Sequence, residues 1–389
     1  MINLWPILLP AAACSGWWVA RNTYLNKQNG SSNRLSREYV LGLNYLLNEQ
    51  PDKAVDLFIK LLEVDSDTVE THLALASLFR RRGEVERAIR IHQNLIARPQ
   101  LSFLQRKEAL MALGQDYMSA GVFDRAERIF LEVLDLTGSR EMSSLQGLLA
   151  IYQQEKDWEK ALDILHKLEV STQTKLNHQA GHYYCEMALD AMKLAQWEQA
   201  DTLINHALMA DEQSVRASLM LASVLMKKTQ YVGAIKALKR VLDQDHEFLI
   251  EIVDPLLECH RALNSMDECI DYLESTLDEH PSACVIFVIG DYLRQEKSDD
   301  LAIDFVSVQL SRHPSIRGLN RLIDWHLESS HGKVRDKLKM LYAITSKFLE
   351  NKPIYRCNHC GFSGKLLHWH CPSCKQWGRT KPIHGLEGD

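Results

Sequence analysis

Ala76-Ser77-Leu78-Phe79-Arg80-Arg81-Arg82-Gly83-Glu84-Val85-Glu86-Arg87-Ala88-Ile89-Arg90-Ile91-His92 decides the fold. It holds two helix-like patterns joined at the tight turn Arg82-Gly83-Glu84. Ala76 and Ala88, twelve apart, are the small residues of the two patterns, and Phe79 is a large one between them. The pattern recurs. The second small position falls at Ala54, Ala88, Ala126, Ala161, Ala200, Ala234, Cys269 and Ala302, with spacings of 34, 38, 35, 39, 34, 35 and 33. Twelve residues before each lie Gly42, Ala76, Gly114, Leu149, Ala188, Ala222, Leu257 and Gly290. Large apolar residues recur nine before the mark (Tyr45, Phe79, Tyr117, Tyr152) and four after it (Phe58, Phe130, Leu165, Ile204).

A period near 34 with these marks resembles the tetratricopeptide repeat, a helix–turn–helix unit. Two antiparallel helices that cross closely need one small side chain each at the contact, and large ones fill the space around it. Eight units run over residues 35–315. Residues 316–352 continue the helical pattern and are read as capping helices, with Leu338, Leu341, Ile344, Thr345 and Phe348 at helical spacing. Leu149, Leu257 and Cys269 depart from the usual small residue or alanine, which predicts looser packing there. The fold class is all-α, a helical solenoid whose extended surface suits peptides or helices, the alternative being a plain spacer.

Residues 353–389 form a separate tail. Cys357-Asn358-His359-Cys360 and Cys371-Pro372-Ser373-Cys374 are two C-x2-C pairs separated by ten residues. Each pair lets two thiolates converge from one turn, and two such turns make a tetrahedral sulfur cage for iron or zinc. The metal ligands are therefore Cys357, Cys360, Cys371 and Cys374, and His359, His368 and His370 are assigned to surface or packing. The turns resemble those of rubredoxin, with Lys375 where a glycine is expected and a shorter spacing. A tail this small has little core, so the metal should supply much of its folding energy. Tyr355, Phe362, Trp369 and Trp377 are its candidate apolar partners.

At the other end, Leu4–Ala20 is an uncharged apolar run containing Trp5, Trp17 and Trp18. A spanning helix needs about 17–25 residues, so residues 1–20 are read as a transmembrane anchor. No cation precedes the run, whereas Arg21, Lys27, Arg34 and Arg37 follow it, which places the body on the cytoplasmic side. Two cleaved readings compete. A signal peptide lacks its basic start here, and the lipoprotein-like Leu9–Cys14 is followed by further apolar residues. Residues 21–34 read as a polar linker.

The chain has 389 residues, 46% hydrophobic and 25% charged, with a net charge of −6. That acidity argues against a general nucleic-acid binder, and Arg80–Arg82 reads as a solvated helix end. Cys185, Cys259, Cys269 and Cys284, scattered singly, suit a reducing compartment rather than a disulfide framework. No H-E-x-x-H, P-loop or nucleophile elbow is present, so no catalytic residue is assigned.

An anchor, a repeat array and a rubredoxin-like tail in this order resemble the lipopolysaccharide assembly protein B family of Gram-negative bacteria. Asn33–Val40, Asp52–Phe58, Arg82–Gln93, Tyr355–Cys374 and Lys381–Leu386 carry the likeness. The resemblance implies a non-catalytic adaptor at the inner membrane. It would promote degradation of the lipid A pathway deacetylase by a membrane-anchored AAA+ protease, and gather other lipopolysaccharide assembly proteins. The rival reading is a redox protein with the four-cysteine site as electron carrier. A chaperone-docking module, a third reading, would show a groove lined by Lys, Arg and Asn.

Overall fold

The computed structural model describes residues 69–99, 101–138, 141–350 and 352–385, together with a few positions between 17 and 57. The chain divides between Gln173 and Thr174 into two compact units. The expected anchor over residues 1–20 lies outside the described residues apart from Trp17 and Trp18, as does most of the linker and of the first repeat. Among the described residues no helix is long and apolar enough to cross a membrane.

The first unit carries three described hairpins: α1 Val69–Arg81 with α2 Val85–Ile96, α3 Phe103–Ser119 with α4 Phe123–Thr137, and α5 Met142–Glu155 with α6 Trp158–Thr172. The second unit carries five: α7 Asn177–Lys193 with α8 Trp197–Ala210, α9 Val215–Lys227 with α10 Tyr231–Gln244, and α11 Leu249–Ala262 with α12 Met266–Glu279. The last two are α13 Ala283–Glu296 with α14 Asp299–Arg312 and α15 Ile316–Ser329 with α16 Gly332–Glu350. A 3-10 turn, His246–Phe248, precedes α11. Helical hairpins thus fill the described part of both units, those up to Arg312 following the repeat marks, and the second unit also holds the tail.

The physical basis of the repeat is visible at its marks. Ala54, Ala88, Ala126, Ala161, Ala200, Ala234, Cys269 and Ala302 all have no exposed surface. The N–H four residues before a mark donates to the carbonyl nine before it, as in Glu84 to Phe79, Val122 to Tyr117, Asp157 to Tyr152, Gln196 to Ala191 and Gln230 to Leu225. Such a helix ending needs one left-handed residue, five before the mark. Gly83 and Gly121 serve in two units, but Lys156, Ala195, Thr229 and Asn264 take the same conformation elsewhere.

Two sequence expectations change. Leu149, Leu257 and Cys269 were expected to loosen their units, yet all three are buried. In α5 the close approach is made by Gly147 instead: a Cβ there would lie 2.6 Å from the Phe130 ring, and one at Gly114 would lie 2.5 Å from its other edge. Phe130 therefore fills a slot between two glycines, so Leu149 is free to be large. Arg80, read as a solvated helix end, instead reaches into the unit and pairs with the fully buried Asp116 at 2.8 Å. The other oxygen of Asp116 meets His92 Nδ1 at 2.5 Å.

The tail is a small sheet of order β2-β1-β3, with β1 Tyr355–Cys357 antiparallel to both β2 Ser363–Gly364 and β3 Thr380–Pro382.

Candidate metal centre and its docking surface

The two C-x2-C turns are built alike. The Gly361 N–H donates to the Cys357 carbonyl and the Cys357 N–H to Phe362. The Lys375 N–H donates to the Cys371 carbonyl and the Cys371 N–H to Gln376. The residue after each pair is left-handed, Gly361 at φ 77° and Lys375 at φ 56°, so lysine occupies the glycine conformation in the second turn. This shared backbone aims all four thiols at one point.

The sulfurs of Cys357, Cys360, Cys371 and Cys374 all lie within 4.8 Å of one another. Cys357 and Cys374 are 3.8 Å apart, and Cys360 and Cys371 3.7 Å. A tetrahedron with metal–sulfur bonds of about 2.3 Å has edges of about 3.8 Å, so the donor set fits a four-coordinate ion. A disulfide would need about 2.05 Å. The Phe362 backbone N–H holds the Cys360 thiol down at about 6, whereas desolvation pushes Cys374 up to about 12. Four sulfurs this close ionise together only beside a cation, which a bound metal supplies. Cys357 and Cys371 are buried and Cys360 is exposed, so the site sits at the edge of the tail.

The tail is fastened to the helices of its unit by aromatic residues. Trp377 is stacked between His370, at a centroid distance of 4.4 Å, and His182 of α7, at 5.1 Å. Tyr183 meets the same indole edge-on and the Arg216 guanidinium lies 5.9 Å from its ring. Trp369 stacks on Phe248 at 5.5 Å. Polar contacts complete the seat. Tyr355 donates to Glu251 at 2.6 Å, Lys381 pairs with Asp245 and Glu247, and His384 donates to the Glu247 carbonyl. Burial and the Glu251 carboxylate push the Tyr355 hydroxyl above its ordinary range.

His182 is the most constrained of these groups. Neither ring nitrogen meets a hydrogen-bond partner among the described residues. Burial holds its pKa well below the ordinary imidazole value, and His178, Arg216 and His370 add to the effect. Gly378, at φ 63°, lies against this pair: a Cβ there would be 2.6 Å from His178 Nε2 and 3.0 Å from His182 Nε2.

The structure thus brings together the four cysteines that the spacing singled out. It gives His370 a packing role, with Nε2 donating to the Lys375 carbonyl. Trp369 and Trp377, expected to pack within the tail, face the array instead. The array's half of the seat went unrecognised in the sequence. Only the i, i+4 spacing of His178 and His182, which puts both on one helix face, hinted at it.

Comparison with known proteins agrees with these features. The family described as rubredoxin metal binding domain matches residues 355–382, and tetratricopeptide repeat families match residues 71–102 and 185–246. Lipopolysaccharide assembly protein B of Escherichia coli strain K12 is 40% identical over 389 residues, covering 100% of both chains. The Haemophilus influenzae protein of the same name is 35% identical over 396 residues, again covering 100% of both. Among solved structures, a MamA protein aligns at TM-score 0.31 and 19% identity, covering 44% of this chain and 90% of that one.

Proposed function

The chain belongs to the lipopolysaccharide assembly protein B family, and on that premise we propose that it is a non-catalytic scaffold that regulates lipopolysaccharide synthesis from the membrane. The observation that carries this reading is the seat of the metal tail on α7, α9 and the start of α11 through Trp377 and Trp369. A metal-stabilised tail docked on a helical array makes a binding platform. The Leu4–Ala20 run anchors this platform and raises its local concentration near other membrane proteins. In this reading it presents the lipid A pathway deacetylase to a membrane-anchored AAA+ protease, with the body on the cytoplasmic side. Cys357, Cys360, Cys371 and Cys374 hold one iron or zinc ion, whose chemistry is structural cross-linking of the two turns.

The test is reconstitution of the full-length protein with the deacetylase and the protease in one membrane. Faster deacetylase loss with the protein than without supports the adaptor. Equal loss, together with a reversible one-electron change at the metal site, favours the redox reading.

A further inference from the structure

We propose that α16 lies along an anionic lipid surface. The helix has two different faces. Thr345 and Ser346 turn inward and donate to Asn320 of α15, fixing one side. The flank beside that contact carries Val334, Leu341, Ile344 and Phe348, exposed at 60%, 50%, 55% and 49%, and α16 buries none of its residues. These positions follow the 3, 4, 7 spacing of a single helical stripe. An apolar stripe this open calls for a covering surface.

Charge identifies the surface. Lys337 falls within the stripe and Lys333 borders it, both exposed. Along the helix five cations, Lys333, Arg335, Lys337, Lys339 and Lys347, stand against two acids, Asp336 and Glu350. Lysine beside large apolar residues is the composition of an interfacial helix: the stem covers apolar surface while the ammonium reaches headgroup phosphates. This inference is independent of the adaptor reading and of the metal.

The experiment is backbone hydrogen exchange over residues 332–350 in the full-length protein. It is reconstituted with vesicles of phosphatidylglycerol mixed with phosphatidylcholine, or of phosphatidylcholine alone, and flotation is followed in parallel. Exchange should slow by roughly tenfold in the anionic vesicles only, and the triple variant Lys333→Gln, Lys337→Gln, Lys347→Gln should lose that difference. Equal exchange in the two lipids overturns the proposal. So does protection that rises with protein concentration in detergent, which would assign the face to a second copy. A chain that floats with both vesicles while α16 exchanges freely keeps the anchor and discards this surface.

Discussion

Trp377 lies flat against His182, with ring centroids 5.1 Å apart and 25° between planes, and this contact joins the metal tail to the second helical unit. The stack works with a neutral imidazole. Protonation would place a charge without a hydrogen-bond partner beside Arg216, and His178 and His370 are also near.

Acid should therefore weaken the seat. His182 has a folded pKa below its unfolded one, so the unfolded chain binds the extra proton first. Stability is full above the ordinary histidine value and falls as pH drops beneath it, by up to about 1.4 kcal/mol per pH unit for this one group. His370, also lowered by burial, adds in the same direction, opposed by its hydrogen bond to the Lys375 carbonyl and, less, by Glu186. Thermal unfolding from pH 8 to pH 5 should show a smaller loss for His182→Phe than for the native chain. An identical slope in both would remove His182 as the cause.

Gly378→Ala should loosen the tail. The left-handed backbone and the 2.6 Å approach to His178 leave no room for a methyl group, and the expected cost is about 2 kcal/mol. Limited proteolysis near residue 353 should become faster while helical circular dichroism stays unchanged.

Thr229→Gly should stabilise the second unit. A β-branched residue at φ 58° is strained where Gly83 and Gly121 are relaxed in their own units. Relief of that strain outweighs the extra chain entropy of glycine, for a net gain of about 0.5–1 kcal/mol. A higher melting temperature for Thr229→Gly, and a lower one for Gly83→Ala, is the expected pair of results.

Asp116→Ala should be among the most damaging changes in the first unit. It strips the buried His92 and the inward-turned Arg80 of their shared partner. Losing one member of a buried charged cluster costs about 3–5 kcal/mol. Urea unfolding monitored by circular dichroism gives the value directly.

Cys371→Ser should abolish metal binding and unfold the sheet around β1 while leaving the helices intact. Elemental analysis should fall from one ion per chain to none, and visible absorption of the native protein separates iron from zinc. A native sheet without metal would show that the seat on α7 and α11 suffices to hold the tail.

The repeat was legible because each hairpin must bring a small side chain to the same place, which writes a period into the chain. The marks at Ala88, Ala126 and Ala302 were therefore readable one by one, and so were the four cysteines, since ligand spacing is a local property of two turns. Gly147 escaped notice because it lies two residues out of register with Leu149. Only the position of the Phe130 ring between two helices gives it meaning. Arg80 escaped for a similar reason: Asp116 lies 36 residues away and nothing local connects them.

By itself, then, the sequence determined the helical hairpins, their order and the four cysteines that cluster, all properties of short-range periodicity and turn chemistry. Tertiary structure alone decided where the tail sits, which turned Trp377, Trp369 and Tyr355 toward His182, Phe248 and Glu251. It also decided that one face of α16 stays exposed among the described residues. Both outcomes depend on surfaces assembled from residues far apart in the chain, whose complementarity exists only once the helices have packed.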